Sequence, residues 1–263
     1  MRENLVRRTL ESGGSSFGTM VFGFDCSGIG RLAHDAGADF VLFDQEHSGW
    51  SIDTIRNLIA SSRSCPITPL VRIPTVAYHL IAPVLDVGAA GIMAPMVSTP
   101  DQARLLADSC YYPPVGRRGA AFGVGHDDYA SGDVVEKMQS ANREVLVIAQ
   151  IETEEGVQNV DAIAGTDGIH VLWIGHFDLT NSLGIPAQFD HPRYLDAVAR
   201  VMDACNTHGK AAGFMASTPT ETEWALTTGF RILALGGDLW IYRESLRQSI
   251  HAARALQDPT LLP

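Results

Sequence analysis

Eight short apolar runs, each separated from the next by a longer segment, constrain the fold of this chain more than any other feature. The runs are Gly18–Gly23, Phe40–Asp44, Pro69–Ile73, Gly91–Val97, Val145–Ile151, His170–Ile174, Ala211–Met215 and Ile232–Leu235. Most of them are continuously apolar rather than alternating, which is typical of parallel strands covered on both faces. The pattern therefore predicts an α/β protein with a parallel sheet.

The intervening segments have the periodicity and capping residues of helices. The predicted helices are Ser27–Ala36, Ile52–Ser62, Val76–Val87, Pro100–Asp108, Gly156–Ile163, Pro192–His208, Pro219–Thr228 and a final amphipathic helix over Leu239–Leu256. Eight such units in 263 residues match a TIM (β/α)8 barrel, predicted as a single domain over residues 1–263. A doubly wound sheet is the main alternative, but it normally has fewer strands. The segment Tyr111–Arg143 is predicted as a long loop that could reach over the catalytic face.

Composition excludes several classes of function. The formal net charge is −11 and the chain has no basic run, so neither a nucleic acid nor an anionic membrane is an expected partner. No apolar stretch approaches the roughly 18 residues of a membrane span, and the first residues lack the apolar core of a signal peptide. The four cysteines form no CxxC pair. We therefore expect a protein of the reducing cytoplasm.

Polar residues stand where several predicted strands end, which is where a barrel builds its catalytic face. These residues are Asp44, Glu46 and His47 after the second strand, Arg72 in the third, Gln150 and Glu152 at the fifth, and Asp178 after the sixth. A closed barrel would bring them together. An enzyme is therefore the leading interpretation.

Two of these residues, Glu152 and Asp178, predict a metal site. Carboxylate oxygens suit hard divalent cations such as Mg²⁺ and Mn²⁺, and two carboxylates leave positions for water and substrate. The alternative is a pair of solvated loop acids or helix caps. No organic cofactor is predicted.

Three further residues have a catalytic and a structural interpretation. His47 could transfer protons, or it could be a loop histidine satisfied by the backbone. Arg72 interrupts an apolar strand, so it either faces a functional cavity, where it could stabilise an oxyanion, or forms a structural salt bridge. Asp86, at the end of the helix after the third strand, could orient an imidazole or could simply end that helix beside Gly88.

Seven segments give the chain a resemblance to the HpcH/HpaI family of metal-dependent pyruvate aldolases. They are Phe43–His47, Val71–Pro74, Leu85–Gly88, Ala94–Val97, Tyr112–Gly119, Gln150–Thr153 and Trp173–Thr180. The resemblance implies a TIM barrel that assembles as a homohexamer and exchanges its last helix between subunits. It also implies reversible cleavage of a C–C bond between a 2-oxo acid, such as pyruvate or hydroxypyruvate, and an aldehyde.

The resemblance also assigns roles to individual residues. Glu152 and Asp178 would bind the divalent metal, Arg72 would stabilise the enolate oxygen, and His47 paired with Asp86 would move protons. Gln150 would lie near the metal, and the amides around Gly175, Phe177 and Asp178 would hold the substrate carboxylate. Asp44, Glu46 and Arg118 are further candidates. The chain departs from the family where it has His176 and Phe177 before the metal-binding Asp, and Gln45 after Asp44.

Three other interpretations remain open. A Schiff-base aldolase needs a lysine at the end of a strand, and the only lysines are Lys137 and Lys210. An acyl-CoA lyase of the citryl-CoA or malyl-CoA type would share the barrel and the metal. A barrel without catalytic activity would only bind oxo acids or serve as a scaffold.

Overall fold

The computed structural model, which describes residues 2–257, is a closed barrel of eight parallel strands. The strands are β1 Ser16–Val21, β2 Phe40–Asp44, β3 Thr68–Arg72, β4 Gly91–Ala94, β5 Leu146–Ile151, β6 Val171–Ile174, β7 Ala211–Ala216 and β8 Ile232–Gly237. Each strand pairs with the next along the chain, and β8 pairs with β1. The predicted TIM barrel and all eight of its strands are confirmed.

Helices follow the strands around the outside of the barrel. They are α1 Leu5–Glu11, α2 Ile29–Asp35, α3 Ile52–Ser62, α4 Tyr78–Asp86, α5 Pro100–Cys110, α6 Val134–Glu144, α7 Glu154–Gln158, α8 Val160–Ala164, α9 His176–Ser182, α10 Pro192–His208, α11 Pro219–Thr228 and α12 Asp238–Gln257. Every predicted helix is present, although the one predicted over Gly156–Ile163 is two short helices, α7 and α8.

Three helices were missed by the sequence analysis. The prediction of a loop over Tyr111–Arg143 is wrong at its end, where Asp133 accepts a hydrogen bond from the amide of Glu136 and starts α6. Asn4 caps α1 in the same way, by accepting from the amide of Arg7. The short α9 begins directly after β6, with no side-chain cap, so its start has no capping signal in the sequence.

Two layers of apolar side chains hold the barrel together. Strand residues that point inward, such as Phe40, Leu70 and Trp173, fill the barrel, and those that point outward pack beneath the helices. Val6 and Leu10 of α1 join the inner cluster, so this helix closes the amino-terminal end of the barrel. The opposite end, where the strands finish, is left for the loops that carry the polar residues.

The last helix, α12, extends over 20 residues, and many of its apolar side chains are about half exposed. Leu239, Tyr242, Leu246 and Ile250, which form the predicted apolar face, are between 43% and 57% exposed. The amphipathic helix is therefore present, but within the described chain its apolar face is only partly covered. Across residues 2–257, no helix has the combination of length and apolar character that crossing a membrane requires.

Candidate active site

A cavity of about 750 Å³ opens at the carboxyl-terminal end of the barrel. The predicted site residues that line it are His47, Arg72, Gln150, Glu152, Gly175, Phe177 and Asp178. These residues come from the ends of four strands and are distant in sequence. The closure of the barrel therefore brings most of the predicted site residues into one place.

Arg72 joins two of the acids at the end of β2. Its Nε donates to Oδ1 of Asp44 at 2.6 Å, and its Nη1 lies 3.1 Å from Oε2 of Glu46. Burial raises the pKa of Glu46, and the positive charge of Arg72 opposes that shift. Arg72 thus forms a buried salt bridge and also lines the cavity. The sequence offered these as alternatives, and the structure shows both.

Asp44 shapes the loop that carries His47. Its fully buried carboxylate accepts the backbone N–H of Glu46 at 3.2 Å and that of His47 at 2.9 Å. The imidazole of His47 stays 59% exposed, with Nε2 at 3.7 Å from Oε2 of Glu46. A histidine held by its backbone and free at its ring can reach a substrate in the cavity.

Glu152 is held as a buried hydrogen-bond acceptor. Its Oε1 accepts the backbone N–H of Met96 at 2.6 Å, and its Oε2 accepts from the side-chain amide of Gln150. The net effect of its surroundings raises the pKa of Glu152 to about 7: burial raises it most, the two donors lower it, and the negative charges of Glu46 and Asp178 raise it. The carboxylate sits among other acids, where a cation would offset the repulsion.

The backbone at Met96 is bent to make this contact. Its φ of 56° lies in the left-handed region, which residues other than glycine adopt at a cost. The Met96 side chain is half exposed, so packing of that side chain does not account for the conformation. The conformation accompanies an N–H group aimed at Glu152.

Gly175 is required where β6 approaches Glu152. A Cβ at this position would lie 2.1 Å from Oε2 of Glu152 and 2.8 Å from Nε2 of Gln150. The N–H of Gly175 already donates to the carbonyl of Ile151, so it is not free for a substrate carboxylate. The next three amides, from His176 to Asp178, open the first turn of α9, where helix N–H groups have no intrahelical acceptor.

The donor set fits a divalent cation that keeps some of its positions for water or substrate. Within residues 2–257, no group of three or more His, Cys, Asp and Glu side chains is arranged to hold a metal by itself. Glu152 and Asp178 offer two carboxylates, and Oε1 of Gln150 is buried beside them without a hydrogen-bond partner among the same residues. Mg²⁺ commonly uses one or two protein carboxylates and completes its shell with water and substrate.

Two predicted site residues, Asp86 and Arg118, lie elsewhere. Helix α4 runs back against the strand direction, so Asp86 at its end lies near the amino-terminal end of the barrel. There its Oδ1 accepts from Nη2 of Arg118 at 2.7 Å. The predicted pairing of Asp86 with His47 is therefore not formed within the described chain, because the two residues sit at opposite ends of the barrel.

Neither lysine lies in the cavity. Lys210 donates to the carbonyl of Ile169 at 2.8 Å, and Lys137 pairs with Asp127 at 2.6 Å. No lysine among residues 2–257 is therefore placed to form a Schiff base there. The geometry therefore argues against the Schiff-base interpretation.

The apolar part of the site was not visible in the sequence. His176 stacks on Phe177 and Phe214, with ring centroids 4.6 and 4.9 Å apart, and burial lowers its pKa. It thus belongs to an aromatic cluster rather than to the acid–base groups. Trp240 and Arg243 of α12 also line the cavity, and only the path of that helix after β8 could have indicated this.

The comparisons with known proteins agree with this architecture. A 5-keto-4-deoxy-D-glucarate aldolase of Escherichia coli is 32% identical over 213 residues, which cover 81% of this chain and 82% of that protein. A hydroxypyruvate/pyruvate aldolase of Roseobacter denitrificans is 31% identical over 236 residues, which cover 90% and 91%. The crystal structure of an HpcH/HpaI aldolase from Desulfitobacterium hafniense has a TM-score of 0.91 at 28% identity, covering 100% of this chain and 98% of that one.

The family model described as HpcH/HpaI aldolase/citrate lyase matches residues 25–245, which include every strand but β1 and the residues that line the cavity from His47 to Ser245. A match of this extent identifies the family. The chain belongs to the HpcH/HpaI aldolase/citrate lyase family.

Proposed function

We propose that this protein is a metal-dependent aldolase, a carbon–carbon lyase that reversibly cleaves a 4-hydroxy-2-oxo acid. The products are pyruvate, or a related 2-oxo acid such as hydroxypyruvate, and an aldehyde. The observation that carries the proposal is the meeting of Glu152, Asp178 and Arg72 around one cavity. The aldolases of Escherichia coli and Roseobacter denitrificans that resemble the chain give independent support.

The chain's own residues account for the steps of the reaction. When bound at Glu152 and Asp178, Mg²⁺ or Mn²⁺ would supply Lewis acidity toward the oxygens of the oxo acid. Arg72, fixed by Asp44 and Glu46, stabilises the negative charge that develops on the keto oxygen during C–C cleavage. His47 moves the proton of the C4 hydroxyl. The free amides of Phe177 and Asp178 hold the substrate carboxylate.

The test is pyruvate release from a panel of 4-hydroxy-2-oxo acids, followed with lactate dehydrogenase and NADH. We expect turnover that chelation abolishes and that Mg²⁺ or Mn²⁺ restores. Glu152→Gln should be inactive, whereas Glu155→Gln, which changes an exposed acid three residues away, should keep wild-type activity. Loss of activity in both variants, or activity that survives chelation, would contradict the proposal.

The alternative is an acyl-CoA lyase of the citryl-CoA or malyl-CoA type, which the citrate lyase part of the family description keeps open. It predicts release of acetyl-CoA from a CoA ester, without pyruvate release from free oxo acids. Running both substrate classes against the same enzyme decides between the two. A purely binding barrel would turn over neither class.

We further propose a homo-oligomer, a hexamer with α12 exchanged between subunits, that works in the cytoplasm. The exposed apolar side chains of α12 support an exchange, because a face of this size in a soluble protein normally packs against something. Light scattering of the full chain and of a chain ending before α12 tests this assembly. If the full chain and the shortened chain form particles with the same number of subunits, the exchange of α12 is contradicted.

A further inference from the structure

A second cavity, of about 270 Å³, lies at the amino-terminal end of the barrel, far from the cavity described above. It is bordered by the start of β3, the end of α4 and the loop that carries His126. Water occupies about 30 Å³ per molecule in the liquid, so this space is larger than a single-water site. Arg2 and Glu3, both exposed, lie on its border and mark where it opens to solvent.

Two deeply buried side chains in its wall have unused hydrogen-bonding groups. Arg118 is 4% exposed and His126 is 7% exposed. Nε of Arg118 and Nδ1 of His126 have no hydrogen-bond partner among residues 2–257. A buried polar atom without a partner destabilises the protein, so a ligand that satisfies both atoms would be bound more tightly.

The two groups have complementary roles. Nε2 of His126 lies 2.6 Å from the carbonyl oxygen of Ala121, which can only accept, so Nε2 carries the hydrogen. Burial, aided by the charge of Arg118, lowers the pKa of His126, which keeps the ring neutral and makes Nδ1 an acceptor. Nε of Arg118 is a charged donor, since only Nη2 of that guanidinium is engaged by Asp86. The ligand must therefore accept from one group and donate to the other.

The charges around the cavity favour an anion. Arg2 and Arg63 share the single carboxylate of Asp128, at 3.1 and 3.4 Å. Burial and the nearby charge of Arg2 lower the pKa of Arg63, as expected for crowded guanidinium groups. The two glutamates of the cavity wall, Glu3 and Glu144, are both engaged by Arg8, which lies outside it.

We propose that this cavity binds a phosphate group that keeps one proton, either as the free monohydrogen phosphate ion or as a monoester in its singly charged form. Monohydrogen phosphate has oxygens that accept from Nε of Arg118 and a hydroxyl that donates to Nδ1 of His126. A carboxylate offers only acceptors and would leave Nδ1 without a donor. Charge-assisted bonds from arginine to phosphate are among the stronger contacts available to proteins.

The experiment follows the ring signals of His126 by NMR while the folded, metal-loaded protein is titrated with inorganic phosphate, glycerol 3-phosphate or acetate. His126→Phe keeps an aromatic ring between Tyr112 and Phe122 and identifies which of the nine histidines gives the signal. Arg118→Lys retains the charge near Asp86 but removes Nε–H. Arg104→Lys, on the exposed side of α5, is the matched control.

We expect a saturable shift with phosphate, a dissociation constant at least about tenfold higher in Arg118→Lys, and no change in Arg104→Lys. Saturation by glycerol 3-phosphate as well would identify an organic phosphate, and saturation by inorganic phosphate alone would identify the free ion. The proposal is overturned if no phosphate gives a saturable shift, if acetate binds as tightly, or if Arg118→Lys keeps wild-type affinity. If Arg118→Lys does not fold, the titrations of the wild type with phosphate and acetate still decide whether the cavity binds phosphate.

Discussion

Replacing Gly175 by alanine should damage the metal site without disturbing the barrel. The new methyl group would lie 2.1 Å from Oε2 of Glu152, whereas a carbon and an oxygen normally approach no closer than about 3.3 Å. The carboxylate must therefore move by about 1 Å and give up the hydrogen bond that this oxygen accepts from the side-chain amide of Gln150. Because a charged hydrogen bond of this kind contributes about 1.5–3 kcal/mol, we expect Mn²⁺ to bind about 10- to 100-fold more weakly.

Titration calorimetry of Mn²⁺ with the wild type and the variant measures this effect, and circular dichroism verifies that both are folded. Gly28→Ala is the matched control, because Gly28 has a φ of −94° and its added Cβ would meet nothing within 4 Å in the described chain. Wild-type affinity in Gly175→Ala would refute the reasoning. Equal weakening in both variants would show that the loss comes from somewhere other than the contact with Glu152.

Three other predictions concern single side chains. Arg72→Lys should lower kcat at least about tenfold, because lysine has one nitrogen in place of the planar fork whose Nε and Nη1 reach Asp44 and Glu46. Steady-state kinetics that leave kcat unchanged would make the arginine structural. In metal-free protein the pKa of Glu152 is raised from 4.5 to about 7, so the folded state holds a proton that the unfolded chain releases. The free energy of unfolding should therefore fall as pH rises through this window, and denaturant titrations of Glu152→Gln should lack that part of the pH dependence. His47→Ala should slow the exchange of pyruvate methyl protons with D₂O about 100-fold by NMR, and the same loss in His34→Ala would argue against a specific role.

The fold could be predicted because its strands are buried on both faces and therefore read as unbroken apolar runs. The errors fall where the signal is local and short. Asn4 and Asp133 each cap a helix through one side-chain bond, and neither helix has a long apolar stripe to draw attention to it. Sequence spacing alone does not distinguish such a segment from a loop.

The candidate site could be predicted in part, by the rule that strand ends meet on one face. That rule places Glu152, Arg72 and Asp178 together, as found. The strand-end rule carries no information on residues that lie on helices. Asp86 therefore lies at the other end of the barrel, because α4 runs opposite to the strands. The role of Gly175 depends on a close approach between two strands, which exists only in three dimensions.

The bent backbone at Met96 sets an unusual rule for mutational tolerance. The group that contacts Glu152 is the backbone amide of residue 96. Whether a residue is tolerated at this position therefore depends on whether it can adopt the positive φ, and not on the chemistry of its side chain. In a saturation library selected for activity, Gly, Asn and Asp should survive at position 96, because they adopt a positive φ at low cost. Val, Ile and Thr should be depleted, because β-branched side chains adopt a positive φ only at a high cost. Pro should disappear, because it has no amide hydrogen to donate to Glu152.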